Sequence, residues 1–373
     1  MTTFAADFHA YRFAALFFGN SHANGFESRA LFSNKEPVAQ ITPGKTHLYF
    51  CNYDHKNAIE NLSTRNFSKL NFPEQLLVEA EKEMCFTSLD EFIKPATASL
   101  TISSLTTKAE YIKQVEQLKH HIQQGDIYEI NYCITFEATN AEIDPIDIYY
   151  KLNKISHAPY SALVKLEDNY IICSSPELFL SRRNNTLITK PIKGTAKRSV
   201  NKNEDDKLKR ELQQSLKERT ENVMIVDVAR NDLSRLAQKG TVKVNELYHI
   251  ESYEQVHQMV STVSCELKEN TSLDTIIKAT FPMASMTGAP KIRAMQLIDE
   301  FETQNRGPFS GCLGYIKPNG DFDLNVLIRS IFYNKNEKYL SFSVGSAITH
   351  LCDPEKEYEE CLVKAKAMVE VLS

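Results

Sequence analysis

A succession of strand-like segments with no helix between them constrains the fold most strongly. Between residues 160 and 192 such segments follow one another, each bounded by turn-forming residues: YSALVKLE, YIICSS, LFLSRR and TLITKPI. Further along, residues 309–332 contain Asn319-Gly320, a dipeptide typical of a tight hairpin turn. Strands in succession favour antiparallel sheets over a doubly wound parallel sheet. Because the helical patterns are grouped between these runs, we predict an α+β protein.

Apolar residues recur every three or four positions in three segments that we predict as helices: residues 111–122, 204–236 and 353–372. The middle segment has a stripe of Leu208, Leu212 and Leu216, and its charged face is expected to be solvated. In the last segment Asp353 fits an N-cap and Pro354 fits the first helical position.

The chain divides by pattern into two parts. Residues 1–100 contain short apolar runs, such as 46–53, and are interpreted as an N-terminal segment that adds strands to the core. The Ser/Thr-rich stretch 97–108 is the predicted connection. Residues 105–373 hold the motifs discussed below, and we expect both parts to form one intertwined globular unit.

Composition excludes several classes of protein. The 373 residues carry a formal net charge of -5, without the basic excess that nucleic acids and anionic membranes favour. The first 20 residues are interrupted by Asp7, His9 and Arg12 and do not fit a signal peptide. No apolar run reaches the ~18 residues of a membrane span, and the eight cysteines lack disulfide-motif or zinc-site spacing. We therefore expect a cytoplasmic protein with reduced thiols and no nucleic-acid or membrane partner.

Two pairs of glutamates stand three residues apart on predicted helices, Glu218 with Glu221 and Glu357 with Glu360. This spacing places each pair on one helix face. Mg²⁺ prefers oxygen ligands and needs only one or two carboxylates beside an anionic substrate. Exposed helix faces are also rich in glutamate, so the pattern alone leaves both a magnesium site and a solvated face open.

A second candidate site is the helix start near Ser285, Thr287 and Gly288, where Pro290 and Lys291 follow in the predicted first turn. The unpaired N–H groups of a helix N-terminus can bind a carboxylate or a phosphate. The nucleotide-binding pattern GxxxxGK[ST] is absent. A plain capped helix explains the same residues equally well.

A third candidate is Lys193, which lies between a strand-like run and the Gly194-Thr195 dipeptide in PIKGT. A lysine beside a bend is commonly a surface residue. It can also be a nucleophile, provided that burial or neighbouring positive charge lowers its pKa from about 10.4. The local residues do not decide between the two.

Read together, the motifs resemble the chorismate-utilising enzymes, which include anthranilate synthase large subunits, aminodeoxychorismate synthase component I, isochorismate synthases and salicylate synthases. The resemblance covers residues 107–370. It rests on segments that occur in this order: SSPELFL, PIKGT, ERTENVMIVDVARNDL, VHQMVSTV, TGAPKIRA, GYI followed by IRS, and EYEECLVKA. It implies a large α+β fold with two packed β-sheets and helices outside, and chorismate as the substrate.

The resemblance also implies site residues. Mg²⁺ would bridge the ring carboxylate of chorismate to Glu221 and Glu360, with Glu218 and Glu357 in outer positions. Arg329 and Tyr315 match residues that bind the enolpyruvyl carboxylate. The remaining substrate contacts match Gly194, Thr195, Ser285, Gly345 and Lys364, and His257 matches a histidine near the reacting ring edge.

Lys193 is one of two positions that separate the reactions of the family, and Glu129 is the other. By resemblance, lysine at position 193 indicates the amination that forms 4-amino-4-deoxychorismate for p-aminobenzoate and folate synthesis. Lys193 would add to C2 of chorismate, and Glu177 would be the general acid with a raised pKa. Ammonia would come from a glutamine amidotransferase on a separate chain. Alternatives are an anthranilate synthase component I, an isochorismate or salicylate synthase, and a non-catalytic chorismate-binding subunit.

Three departures from the family pattern accompany the resemblance. Glu129 stands where water-using members have lysine and ammonia-using members commonly have glutamine. Ala347 replaces the second glycine of the carboxylate-binding Gly-x-Gly segment that begins at Gly345. The N-terminal part is short and lacks the tryptophan-binding segment of many relatives, so we predict no bound tryptophan.

Overall fold

The computed structural model describes residues 3–20, 25–86, 89, 100–254 and 256–373. In these ranges no helix combines the length and the apolar character needed to cross a membrane. The helices are α1 (Thr3–Ala10), α2 (Lys56–Glu60), α3 (Lys108–Gln123), α4 (Pro145–Ser156), α5 (Lys202–Gln214), α6 (Leu216–Ser234), α7 (Leu273–Thr280), α8 (Lys291–Phe301) and α9 (Pro354–Leu372).

The strands are numbered along the chain. They are β1 (Phe13–Phe18), β2 (Arg29–Ser33), β3 (His47–Cys51), β4 (Gln75–Glu79), β5 (Lys82–Cys85), β6 (Ser103–Ser104), β7 (Glu129–Ala138), β8 (Tyr160–Leu166), β9 (Asn169–Ser175), β10 (Leu178–Arg183), β11 (Thr186–Lys190), β12 (Ile192–Lys197), β13 (Lys243–Ser252), β14 (Val256–Glu266), β15 (Gly288–Ala289), β16 (Cys312–Ile316), β17 (Phe322–Val326), β18 (Ser330–Asn334) and β19 (Tyr339–Ile348).

Within the described ranges these strands form two sheets of antiparallel pairs. The first has ten strands in the order β15-β7-β19-β18-β9-β8-β1-β2-β5, with β6 also paired to β7. The second has nine strands in the order β12-β14-β11-β10-β17-β16-β3-β4, with β13 also paired to β14. N-terminal strands therefore lie inside both sheets beside strands from the middle and the end of the chain.

The core has two layers. One apolar cluster joins the two sheets and includes Phe17, Phe50 and Leu180. The other covers the outer face of the first sheet with residues of the helices, such as Val115 of α3 and Met368 of α9. The predicted α+β class, with a two-sheet core flanked by helices, is confirmed.

The predicted helix over residues 204–236 is wrong as a single element. The chain leaves the helical conformation at Ser215, whose hydroxyl accepts a hydrogen bond from the Glu218 N–H at 3.4 Å and caps α6. Leu212 is buried, but Leu216 is 80% exposed because it lies beyond the break. The break places Glu218 and Glu221 in the first two turns of a separate helix.

The other helix starts need a smaller correction. Asp353 caps α9 through a 3.0 Å bond from the Glu355 N–H, and Pro354 is the first helical residue, as predicted. Pro290 precedes α8 as its N-cap rather than lying in its first turn. The two residues before it form β15, which pairs with the start of β7. Of the predicted connection 97–108, residues 97–99 lie outside the described ranges.

Candidate active site

Lys193 joins the two sheets through an ion pair. It lies on β12, where the pairing with β14 shifts register between Ile192 and Thr195. Its Nζ donates a hydrogen bond of 2.6 Å to Oε1 of Glu129, the first residue of β7. The side chains are only 10% and 1% exposed, so this is a buried pair and not a surface lysine.

The charges around Lys193 contradict the expectation that a nucleophilic lysine here has a lowered pKa. Burial by itself lowers the pKa of Lys193, but the carboxylates of Glu129 and Glu221 outweigh it and raise the pKa above the ordinary lysine value. Glu177 acts in the same direction. The prediction that the site lowers the pKa of this lysine is therefore wrong for the protein without substrate.

Glu177 lies in the short connection between β9 and β10 and is buried. Burial raises its pKa to about 7, against the opposing effects of the nearby Ser285 hydroxyl and the Lys193 ammonium group. This is the direction expected for a general acid. Ser285 lies near Glu177 but does not form a hydrogen bond with it, since the buried Ser285 Oγ has no hydrogen-bond partner among the described residues.

Gly194 is held in a backbone shape that suits glycine. Its φ is +84°, and a Cβ there would lie 2.8 Å from Oε2 of Glu218 and 3.1 Å from a methyl carbon of Leu212. β12 can therefore pass close to α6. The neighbouring Thr195 is exposed and stands opposite Gln258 of β14.

The predicted glutamate pairs lie on two helices that meet at Lys217. α6 packs against β12 and β14, and α9 packs against β19. Lys217 Nζ lies 3.2 Å from Glu357 and 3.9 Å from Glu221, so the two helices present their carboxylates to a common cation.

These carboxylates differ in their surroundings. Burial raises the pKa of Glu221 to about 7 and also raises the pKa of Glu218. Burial acts in the same direction on Glu360, but Lys364, 2.8 Å away, leads the opposing effects, and the pKa of Glu360 is lowered. Lys364 also donates to the Gly345 carbonyl at 2.8 Å.

The glutamates offer ligands for a hard cation without forming a complete shell. In the part of the chain that the structure describes, no three acidic, histidine or cysteine side chains are placed to hold a metal as they stand. Glu221 Oε1 is nevertheless buried with no hydrogen-bond partner among the described residues. Since Mg²⁺ needs only one or two carboxylates beside substrate and water, the donor set fits this ion.

Arg329 presents a cation that has no counter-ion among the described residues. It follows β17, has a φ of +49°, and anchors β9 through its carbonyl, which accepts the Ser174 N–H at 3.1 Å. Its guanidinium forms no ion pair or hydrogen bond with another described residue, and burial lowers its pKa. A guanidinium enclosed in this way is suited to a planar carboxylate.

Gly345 is held between its neighbours on the next strand, since a Cβ there would clash with Cys133 Sγ and Asn131 Oδ1. Ala347 stands opposite Asn131 in the β19–β7 pair. The backbone therefore requires the first glycine of this segment for space.

Two residues matched by resemblance lie in structural networks instead of the site. The Tyr315 hydroxyl donates to Asp323 at 2.9 Å and accepts from the Glu27 N–H at 2.8 Å, and its ring packs on Phe17 and Phe26. Tyr315 is fully buried in the core between the sheets. Its predicted contact with the substrate carboxylate is not supported, because the hydroxyl is already paired.

His257 is occupied on both ring nitrogens. Nδ1 lies 2.8 Å from Ser252 Oγ and Nε2 lies 3.0 Å from Asp205 Oδ1. Asp205 is also bound by Arg198. His257 thus ties β14 to the start of α5, and its predicted place at the reacting ring is not supported.

Gln258, the next residue, was missed by the sequence reasoning. Alternation along β14 turns it to the face opposite His257, which is the face of its cross-strand partner Thr195. It is 1% exposed, and its Oε1 has no hydrogen-bond partner within the described ranges. A buried amide oxygen without a donor is costly, which marks a place for a ligand or water.

The fold and these side chains define a family. Residues 5–370 match the family described as chorismate binding enzyme. The match spans nearly the whole chain, and the protein belongs to this family.

Curated relatives carry two kinds of name. Aminodeoxychorismate synthase component 1 of Bacillus subtilis is 37% identical over 280 residues, 75% of this chain and 59% of that protein. The probable chloroplastic aminodeoxychorismate synthase of Oryza sativa is 42% identical over 269 residues, 71% of this chain and 30% of the relative. Anthranilate synthase component 1 of Acetivibrio thermocellus is 37% identical over 277 residues, 73% of this chain and 55% of the relative. The matches thus span less than two thirds of each relative.

Solved structures share the fold over almost the whole chain. Anthranilate synthase component I of Streptococcus pneumoniae superposes with a TM-score of 0.79 at 23% identity, covering 96% of this chain and 92% of that one. The menaquinone-specific isochorismate synthase of Escherichia coli gives a TM-score of 0.79 at 16% identity, covering 99% and 91%. One fold therefore serves proteins named for different reactions.

Proposed function

We propose that this chain is an aminodeoxychorismate synthase component I, which converts chorismate and ammonia to 4-amino-4-deoxychorismate and water. The observation that carries the proposal is the buried Lys193, whose carboxylate neighbours include Glu177, a carboxyl group with a pKa of about 7. Relatives named for this reaction, at 37% and 42% identity, support it. The product would serve p-aminobenzoate and folate synthesis.

The proposed chemistry uses a nucleophile and an acid. Lys193 Nζ adds to C2 of chorismate, the two ring double bonds shift, and the C4–O bond breaks. Glu177 gives its proton to the departing hydroxyl, which leaves as water. Ammonia then adds to C4, the double bonds shift back, and the C2–N bond to Lys193 breaks. We propose that a glutamine amidotransferase on a separate chain supplies the ammonia.

Substrate binding in this proposal depends on its two carboxylates. Arg329, which has no counter-ion among the described residues, would take the enolpyruvyl carboxylate. Glu221 and Glu360 would hold Mg²⁺, with Glu218 and Glu357 in outer positions, and the bound ion would neutralise the ring carboxylate. The rest of the pocket would be lined by Gly194, Thr195, Ser285, Gly345 and Lys364.

The test is the identity of the product. Incubation of the full chain with chorismate, MgCl₂ and ammonium should yield 4-amino-4-deoxychorismate, identified by mass, without release of pyruvate. Anthranilate formation releases pyruvate, so anthranilate with pyruvate as the main products would overturn the proposal. That is the second candidate function, and the Acetivibrio thermocellus relative at 37% identity favours it.

A lysine variant tests the role of the nucleophile. Lys193→Ala should remove most turnover while leaving the protein folded. Lys190→Ala is the matched control, because Lys190 lies three residues earlier and pairs with Glu251 at 3.2 Å, outside the proposed machinery. Equal activity in the two variants would remove Lys193 from the mechanism.

A further inference from the structure

The proposed reaction does not specify which group accepts the proton of Lys193. A lysine must be neutral to add to carbon, yet Lys193 is held as an ammonium ion by Glu129. The proton has to leave Nζ before the C2–N bond forms. The chain must therefore offer a proton acceptor within reach of Nζ.

The backbone at Glu129 is fixed by the neighbouring strand. Glu129 stands opposite Ala289 in the β15–β7 pair, and the adjacent Tyr128 N–H donates to the Ala289 carbonyl at 2.7 Å. Gly288 of β15 packs so closely that a Cβ there would clash with the Glu129 carbonyl. The carboxylate thus projects from a backbone that is anchored on both sides of the residue.

The carboxylates that raise the pKa of Lys193 have different roles in the proposed reaction. Glu129, Glu221 and Glu177 act on it most strongly, and Glu218 and Glu360 of the proposed cation site also interact with it. Glu177 has to keep its proton for the leaving hydroxyl, and Glu221 belongs to the proposed cation site. Of these carboxylates, only Glu129 has an oxygen in hydrogen-bond contact with Nζ, at 2.6 Å.

We propose that Glu129 accepts the proton of Lys193 when substrate binds and returns it at the end of the cycle. The inference rests on the proposed function, because it requires Lys193 to be the nucleophile. Glu129 acts through Lys193 and is a positioning residue in this scheme, not a group that contacts the reacting carbons.

The protons balance over the cycle. Lys193 gives one proton to Glu129 Oε1, and the neutral Nζ adds to C2 while Glu177 protonates the departing hydroxyl. After ammonia adds to C4, Nζ leaves as a neutral amine and recovers its proton from Glu129. The ammonium group formed at C4 gives a proton back to Glu177. One chorismate and one ammonia become one 4-amino-4-deoxychorismate and one water.

Burial makes this transfer feasible. Moving a proton over a 2.6 Å hydrogen bond converts two buried charges into two neutral groups, so no ion has to be solvated. The second oxygen, Glu129 Oε2, is buried and has no hydrogen-bond partner among the described residues. Among the described residues, Lys193 is therefore the hydrogen-bond donor to this carboxylate.

The decisive experiment compares pH profiles for the full-length chain. With Glu129 as acceptor, the Lys193–Glu129 pair keeps its proton and turnover does not require loss of a proton to solvent. In Glu129→Gln, Lys193 must lose its proton to water. The ratio of variant to wild-type kcat/KM should therefore rise about tenfold for each pH unit between pH 5.5 and 7. Use of the ratio cancels the titration of groups that both proteins share.

Two further variants define the control and the rescue. Glu137→Gln removes a carboxylate from the far end of β7, where Glu137 pairs with Lys69 at 2.8 Å. Its ratio should not change with pH. Glu129→Asp keeps a carboxylate and should also give a ratio independent of pH, even at reduced turnover. A flat ratio for Glu129→Gln would overturn the proposal.

A measurement without turnover separates this inference from the proposed function. Brief labelling of lysines with an amine-reactive reagent over a pH series, read by peptide mass, reports the protonation of Lys193. Labelling should begin at lower pH in Glu129→Gln than in wild type, because the carboxylate that stabilises the ammonium is gone. Unchanged labelling would overturn the coupling even if the product assay succeeds. Shifted labelling with anthranilate as product would leave the coupling of Lys193 to Glu129 in place but would overturn the proposed function, and with it the proton transfer during turnover.

Discussion

The backbone of Gly194 and the carboxylate of Glu218 approach so closely that a Cβ on residue 194 would lie 2.8 Å from Glu218 Oε2. One strand of the second sheet thereby lies directly against one carboxylate on α6. The turn beside Lys193 and the candidate magnesium site are parts of one arrangement. A substitution at Gly194 or at Glu218 should therefore affect both the turn and the candidate magnesium site.

Gly194→Ala should weaken magnesium binding as well as stability. A φ of +84° costs alanine about 1 kcal/mol, and the new methyl group displaces Glu218. Gly240→Ala is the control, because Gly240 has a φ of +80° and nothing within 4 Å of its Cβ position. Both variants should lose a few degrees of Tm, but only Gly194→Ala should reduce the Tm gain that MgCl₂ produces. Equal magnesium responses would contradict the coupling.

Glu177→Gln should change how stability depends on pH. The pKa of Glu177 is raised to about 7 in the folded protein, so folding favours its protonated form. The unfolded state loses this proton near pH 4.5, and wild-type stability therefore falls as pH rises from about 4.5 to 7. The variant lacks this loss and should gain on the order of 3 kcal/mol relative to wild type between pH 4.5 and 8.

Thermal unfolding without Mg²⁺ across this pH range measures the difference. Glu211→Gln, on the exposed face of α5, is the control and should show no such gain. A constant difference between wild type and Glu177→Gln would mean that Glu177 is not buried as a neutral acid.

Arg329→Met should raise KM for chorismate without destabilising the protein. The guanidinium has no partner among the described residues, so its removal breaks no native ion pair. Loss of a two-point carboxylate contact should raise KM about ten- to a hundredfold. Arg230→Met, which removes an exposed arginine 2.9 Å from Asp227, should leave KM unchanged. A loss of Tm without a change in KM would assign Arg329 a structural role.

Substitutions of His257 and Gln258 should have different effects: the first should lower stability, and the second should lower activity. His257→Phe removes one hydrogen-bond partner of the buried Asp205, which Arg198 still binds, and one partner of Ser252. It should cost about 1 kcal/mol of stability with little change in KM. Gln258→Leu removes an amide oxygen that has no described partner and should keep Tm but reduce kcat/KM. Urea unfolding and steady-state kinetics of both variants test this, and the reverse pattern would restore His257 to the site.

The fold class could be predicted because its signals are local. The strand runs around residues 160–192 and the caps at Asp353 and Pro354 each depend on neighbours in sequence. The break at Ser215 was missed because the helical pattern continues through it. Only the contacts of α5 and α6 with the second sheet decide that two helices are needed.

The candidate site was harder to predict from the sequence, because its side chains belong to strands whose pairing cannot be read from the sequence. Which of His257 and Gln258 points toward the candidate site depends on the register of β14 against β12. The Lys193–Glu129 pair links residues 64 positions apart on different sheets. Motif likeness found the neighbourhood of Tyr315 but could not show that Asp323 already holds its hydroxyl.

The interleaving of early and late strands has a consequence for how the chain folds. β1 pairs with β8, and β3 lies between β4 and β16, so Leu48 meets Tyr315. Neither sheet can close before distant parts of the chain have been synthesised. Topologies of such high contact order fold slowly and expose unpaired strand edges meanwhile. The folding rate of this protein should therefore be limited by the late pairing of its N-terminal strands with strands from the middle and the end of the chain.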